Sequence, residues 1–207
     1  MDRKLIEKYI NSFDKKIVSV LDLDKCKIEY SGIKTGRDIR DIPGDEEVSR
    51  AFLLTRLVNE LGYPADRIEI ETEYTAGRPH TITSRIDVIV RDSNGDAFLF
   101  IECKSPDAYA SEDKDQLIKE QLYKVAGMEK NEGHKVKYLV LYTTNDTKGS
   151  VYDECIIIDT EKYPTFTDWE NGRNSTNTLP ARYGKAQKTP YVKASSKDLE
   201  TDFNNEM

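Results

Sequence analysis

From Ile82 to Lys104 the chain reads ITSRIDVIVRDSNGDAFLFIECK, two apolar runs around a polar turn. Asn94-Gly95 between such runs is a strong hairpin signal, because both residues accept the positive φ of a type I′ turn. A two-residue loop there pairs Ser93 with Asp96, and residues face each other whenever their numbers sum to 189. Asp87 and Glu102 then stand opposite on one face, with Cβ atoms about 4.5–5.5 Å apart. Like charges so placed are destabilising unless a cation neutralises them. Lys104 shares the face of Glu102 by the two-residue period but cannot serve both acids. A hard divalent ion can, since Mg²⁺ takes one or two carboxylates, keeps several waters and binds substrate phosphate with the rest. Cys103 points to the opposite face and reads as core. An Asp followed at a distance by Glu-x-Lys also arises by chance in a chain with 33% charged residues. The pattern gains weight from Ile86, Val88, Ile89, Leu99 and Ile101, since strands this apolar are interior and charges there need partners.

Upstream, Leu5, Ile6, Tyr9, Ile10, Phe13, Ile17 and Leu21 recur at three- and four-residue steps and predict one amphipathic helix. Lys25 to Gly44 reads as a short strand and an irregular connection. A second helix opens with Asp45 as N-cap, presents Val48, Ala51, Phe52, Leu54, Leu57, Val58 and Leu61, and stops at Gly62 and Pro64. From Arg67 the period becomes two, as Ile68, Ile70, Thr72 and Tyr74 alternate with Glu69, Glu71 and Glu73. Downstream of the hairpin, Glu112 to Asn131 predicts a helix with Leu117, Leu122, Val125, Ala126 and Met128 inward. Strands follow at Lys137 to Thr144, an interior run, and at Cys155 to Asp159. The order predicts an α/β sandwich with a mixed sheet.

The chain has 207 residues and a net charge of −7. That length supports one core without disulfide or metal staples. No apolar run approaches the ~18 residues of a membrane helix, and the charged N-terminal segment is not a signal peptide. Cys26, Cys103 and Cys155 form neither a C-x-x-C pair nor a disulfide framework, which points to the cytoplasm. The acidic total argues against strong free-standing nucleic-acid binding, but charge is unevenly spread. Between Arg173 and Lys197 lie six basic residues and no acidic one. We divide the chain into a unit over 1–168 and a basic tail or linker over 169–207, leading toward sequence beyond Met207. Arg182, Lys185, Lys188 and Lys193 are candidate DNA-backbone contacts, and a solvated linker is an equal reading. His80 and His134 read as surface histidines, Trp169 as a packing anchor. No G-x-x-x-x-G-K-[ST] phosphate loop occurs, so the chain holds no motor of that kind.

Glu46-Glu47, then Leu61-Gly-Tyr-Pro64, Ser84-Arg-Ile-Asp-Val-Ile-Val90, Phe100-Ile-Glu-Cys-Lys-Ser-Pro106 and Gln121 together resemble the PD-(D/E)xK nuclease superfamily. More closely they resemble the N-terminal nuclease domain of type I restriction enzyme R subunits, over about Asp45 to Asp146. The resemblance implies a restriction-endonuclease-like αβββαβ core and Mg²⁺-dependent endonuclease action on double-stranded DNA, with Mn²⁺ as a substitute. It also implies modification and specificity subunits, or fused domains, as partners. Carried over by residue, Asp87 and Glu102 would hold the metal, aided by the Cys103 carbonyl. Lys104 would orient the attacking water and stabilise transition-state charge. Glu47 would be the upstream acid, with Glu46 beside it as the other candidate. Gln121 matches the glutamine of the family's Q-x-x-x-Y motif, but Val125 stands where the tyrosine belongs. The rival readings are a non-catalytic nuclease-fold module for subunit assembly or DNA docking, and a nuclease for RNA or branched DNA.

Overall fold

A computed structural model describes residues 1–14, 17–22, 27–36, 44–76, 82–147 and 149–182. Helix α1 (Arg3–Asn11) is followed by strands β1 (Val18–Asp22), β2 (Lys27–Tyr30) and β3 (Lys34–Thr35), then by α2 (Asp45–Asn59). Strands β4 (Ile68–Ala76), β5 (Ile82–Arg91) and β6 (Ala97–Cys103) lead to helices α3 (Pro106–Ser111), α4 (Lys114–Leu117) and α5 (Lys124–Asn131). Strands β7 (Val136–Thr147) and β8 (Ser150–Asp159) and helix α6 (Phe166–Gly172) complete the order. Strands β3 to β8 form one six-stranded sheet in sequence order, with β3/β4 and β6/β7 parallel and the other pairs antiparallel. The parallel β6–β7 pair needs a crossover, which α3 to α5 supply.

Two cores flank this sheet. One joins Ile6 and Ile10 of α1 and Phe52, Leu54 and Leu57 of α2 to Ile70, Val88, Ile101 and Cys103. The other joins Tyr109, Ile118, Leu122 and Trp169 to Tyr74, Ile86, Ile89 and Phe100. The expected α/β sandwich with a mixed sheet is present, Cys103 is wholly buried, and Trp169 is an anchor in the second core.

The first helix is shorter than its periodicity predicts. It ends at Asn11, and Val18 to Asp22 pair with β2 as a strand. Ile17, Val18 and Val20 are β-branched, and such side chains fit a pleated surface better than a helix. Asp45 is the first residue of α2 rather than its cap, since Gly44 holds the cap position and the Asp45 carboxylate accepts a hydrogen bond from Arg3 Nε at 2.9 Å. The helix expected over Glu112 to Asn131 starts at Lys114 with Asp113 as N-cap. It passes through a π-helical stretch, Ile118–Tyr123, before α5.

The hairpin tip also differs. Asn94 does not have positive φ; only Gly95 does, at 88°. The Gly95 N–H donates to the Asp92 carbonyl and the Asp92 N–H to the Asp96 carbonyl, a three-residue loop in place of the expected two. Arg91 therefore faces Ala97, a sum of 188, and a bulge at Phe98 restores the sum of 189 for Val90–Leu99, Ile89–Phe100 and Val88–Ile101. The expected register holds, through a different turn.

Candidate active site

The β5–β6 ladder ends at the Val88–Ile101 pair, one step short of Asp87 and Glu102. There the strands stop exchanging backbone hydrogen bonds, and the Cys103 N–H instead donates to Asp87 Oδ2 at 2.7 Å. On the other side of β5 the ladder with β4 omits its own expected pair, Glu71 with Asp87. Glu71 adopts φ 56°, an uncommon conformation for a residue with a side chain. Gly36 makes room for it: a Cβ at Gly36 would collide with the Glu71 carbonyl oxygen. The irregularity changes which face each strand presents. Ile70 and Val88 pack in the first core, whereas Tyr74 and Ile86, an even number of residues away, pack in the second. The sheet thus reverses its facing at Glu71 and Asp87, and side chains from both layers meet there.

From the first layer comes Arg50, only 1% exposed. Its Nη1 lies 3.1 Å from Glu47 Oε2 and 2.6 Å from Glu71 Oε1, and its Nη2 donates to Asp87 Oδ1 at 3.1 Å. Tyr30 Oη donates to Glu47, and Arg85 Nη1 donates to Glu71 Oε2 at 2.8 Å. Lys104 Nζ donates to Glu102 Oε1 at 2.7 Å. Beside these groups opens a cavity of about 330 Å³ lined by Glu46, Glu71, Ser84, Arg85, Asp87, Glu102, Glu120, Gln121 and Val125.

Crowded acids in a desolvated site resist ionisation. Burial, then the neighbouring Asp87, pushes the Glu102 carboxyl up to about 8. Burial also raises Asp87, against the opposing pull of Arg50, and raises Glu46, to which Asp87 adds. Glu47 is raised by burial in spite of Arg50 and the Tyr30 hydrogen bond. For Lys104 burial acts downward, but Glu102 outweighs it and the ammonium lies above the usual lysine range.

The structure brings Asp87, Glu102, Lys104 and Gln121 to one place. Of the two candidate upstream acids, Glu46 lines the cavity, while Glu47 sits behind it between Tyr30 and Arg50. Gln121 lies in the π-helical stretch, where the Lys124 N–H reaches the carbonyl of Lys119, five residues back. Its Oε1 is buried without a hydrogen-bond partner. Val125, at the unmatched tyrosine position, also lines the cavity. Arg50, Glu71 and Arg85 were not expected from the sequence. The sequence carried no signal for them, because the burial of α2 from Glu47 to Val58, which obliges an arginine there to be paired, is seen only in the fold.

Among the described residues no three His, Cys, Asp or Glu side chains are grouped to hold a metal ion. Asp87 and Glu102 are a pair, which suits Mg²⁺ with waters filling its remaining positions. The cavity has room for those waters, and a carboxyl raised by burial and a neighbouring carboxylate, as Glu102 is by Asp87, is what a cation relieves. The Mg²⁺ donor set therefore fits.

Of the candidate DNA contacts, Lys185, Lys188 and Lys193 lie outside the described residues, as does His80. Arg182 is exposed at the end of a segment that packs on the body. The Arg182 N–H donates to the Leu61 carbonyl, Tyr63 Oη donates to the Pro180 carbonyl, Thr176 pairs with Ile157, and Leu179 is buried. Arg173, counted with the basic tail, forms a two-pronged pair with Asp115 at 2.6 and 2.8 Å. His134 lines a second cavity beside the hairpin tip.

A six-stranded mixed sheet between helical layers, with an Asp midway along one central strand and Glu-x-Lys at the end of the next, defines a restriction-endonuclease-like α/β core. The family model described as type I restriction enzyme R protein N terminus matches residues 45–153, just over half the chain. The chain belongs to that family, which ties it to the nucleases of restriction systems. No curated protein matches it. No described helix is long and apolar enough to cross a membrane.

Proposed function

We propose that the chain is the metal-dependent endonuclease domain of a type I-like restriction-modification enzyme, hydrolysing phosphodiester bonds of double-stranded DNA. The observation that carries this reading is the meeting of Asp87 and Glu102 where the β5–β6 ladder opens, with Lys104 on Glu102. Asp87 and Glu102, with the Cys103 carbonyl, would hold Mg²⁺, and Mn²⁺ could replace it. Bound there, the ion would supply Lewis-acid polarisation of the phosphate and acidify water. The protein's part is electrostatic and positional. Lys104, kept protonated by Glu102, donates to the charge that develops on the phosphoryl oxygens rather than accepting a proton. Arg50 and the Cys103 N–H fix the rotamer of Asp87. Gln121 offers the unpartnered Oε1 as an acceptor for water or a DNA group. Modification and specificity subunits, or fused domains, would supply recognition and translocation. Lys185, Lys188 and Lys193, with Arg182, would add phosphate contacts, which position the duplex without specifying its sequence.

The test is calorimetric titration of the chain with Mn²⁺ and Mg²⁺ beside the Asp87→Ala variant. Binding that vanishes in the variant supports the reading. Absence of binding in both turns it toward a non-catalytic nuclease-fold module.

A further inference from the structure

Arg50 is a cation buried beside a site that already requires one. Three carboxylates from three elements converge on it: Glu47 of α2, Glu71 of β4 and Asp87 of β5. An arginine this deep is costly unless fully paired, and its planar fork can face several carboxylates at once, as a lysine cannot. The electrostatic count around the cavity is informative. The acids lining it or ion-paired at its wall are Glu46, Glu47, Glu71, Asp87, Glu102 and Glu120. The bases are Arg50, Arg85, Lys104 and Lys124, each ion-paired to one or more of these acids. Among the described residues, and with every group counted as ionised, the balance is two negative charges, the complement of one divalent ion.

The geometry of Asp87 agrees. Two-metal phosphodiester sites place their ions roughly 3.5–4 Å apart and join them through shared carboxylates. Here Asp87 Oδ1 faces Arg50 Nη2 and Oδ2 accepts from the Cys103 N–H, so the carboxylate that would join two ions is already shared with a guanidinium. Glu47 and Glu71, the further acids a second ion could recruit, are turned to the same Arg50.

We propose that Arg50 is a positioning residue that stands permanently where a second metal ion would otherwise be, and so limits the site to one divalent ion. This rests on the metal-dependent reading above. The guanidinium keeps Asp87 aimed at the cavity from behind and neutralises the rear acids before any ion arrives.

Calorimetric titration of the 207-residue chain with Mn²⁺ alone tests it, reading stoichiometry in the parent, Asp87→Ala, Arg50→Gln and the double variant Arg50→Gln with Glu71→Gln. Circular dichroism checks that each is folded. The expected result is one ion in the parent, none in Asp87→Ala, two in Arg50→Gln, and one again in the double variant, which loses an acid along with the cation. Should Arg50→Gln not fold, Arg50→Lys decides, because its ammonium cannot span three carboxylates and a second, weaker ion enters. Two ions in the parent would overturn the proposal, as would a folded Arg50→Gln or Arg50→Lys that keeps the parent's stoichiometry and affinity. If those failures occur while Asp87→Ala abolishes binding, the metal-dependent reading stands and only the role of Arg50 falls. A parent that binds no Mn²⁺ removes both.

Discussion

Glu102 holds a proton in the folded chain that the unfolded chain has released, over the range from its ordinary value of 4.5 to about 8. Protein stability falls with rising pH wherever the folded state binds more protons, so the metal-free protein loses stability as pH climbs through that window. Thermal melts in the presence of a chelator should show Tm declining from about pH 4.5 to about pH 8, with the slope reduced in Glu102→Gln. Parallel profiles for the two proteins would contradict this. Lys104 has the converse part: Lys104→Ala is expected to keep Mn²⁺ binding while plasmid cleavage drops by about 100-fold or more, because a donor to developing charge is lost. The register that leads toward Asp87 and Glu102 was legible beforehand because it depends on two neighbouring strands and a period of two, although the ladder stops one pair short of them. Arg50 and Glu71 were not, because their meeting depends on contacts 21 residues apart in sequence and on a helix whose whole circumference is buried. An alternating apolar pattern casts Glu71 as solvent-facing, and only the reversal of facing puts it inside.

At the scale of elements, the β4–β5–β6 meander owes its shape to an interruption. Glu71 can take its left-handed conformation because Gly36, whose N–H donates to the Ile70 carbonyl at 2.8 Å, leaves no side chain in the way. Gly36→Ala is therefore expected to destabilise the fold by about 2 kcal/mol, read as a lower urea midpoint. It should also weaken Mn²⁺ binding, since Glu71 and Arg50 move together. An unchanged midpoint would mean the strand absorbs the methyl group by shifting. The hairpin was predicted with the right register and the wrong turn. The apolar faces of β5 and β6 force the pairing, because a slip of one residue would send Leu99 and Ile101 to the wrong core. The tip itself is polar and weakly constrained, so Asn94 could be read as a turn former without being the residue that takes positive φ. The π-helical stretch could not be foreseen, since the same apolar residues satisfy either helical spacing over so few turns.

For the whole molecule, the boundary of the folded body is open to test. Helix α6 packs through Trp169, and the segment after it carries buried Leu179 and holds Tyr63. A chain ending at Gly172 should lose about 2–3 kcal/mol of stability relative to one ending at Arg182, chiefly from Leu179. Equal urea midpoints would show that the docked segment contributes little. Ending the chain at Arg182 also removes Lys185, Lys188, Lys193 and Lys197, so the salt dependence of double-stranded DNA binding should flatten by about 3.6 in logarithmic slope if all four lysines touch phosphates. An unchanged slope would leave the segment a linker. The hairpin tip has a practical use of its own. Ser93 and Asn94 are exposed, and the loop closes on the Asp92–Asp96 backbone bond several residue pairs from Asp87 and Glu102. A dye or a short affinity peptide grafted between these two residues would therefore label the protein without disturbing the carboxylate site.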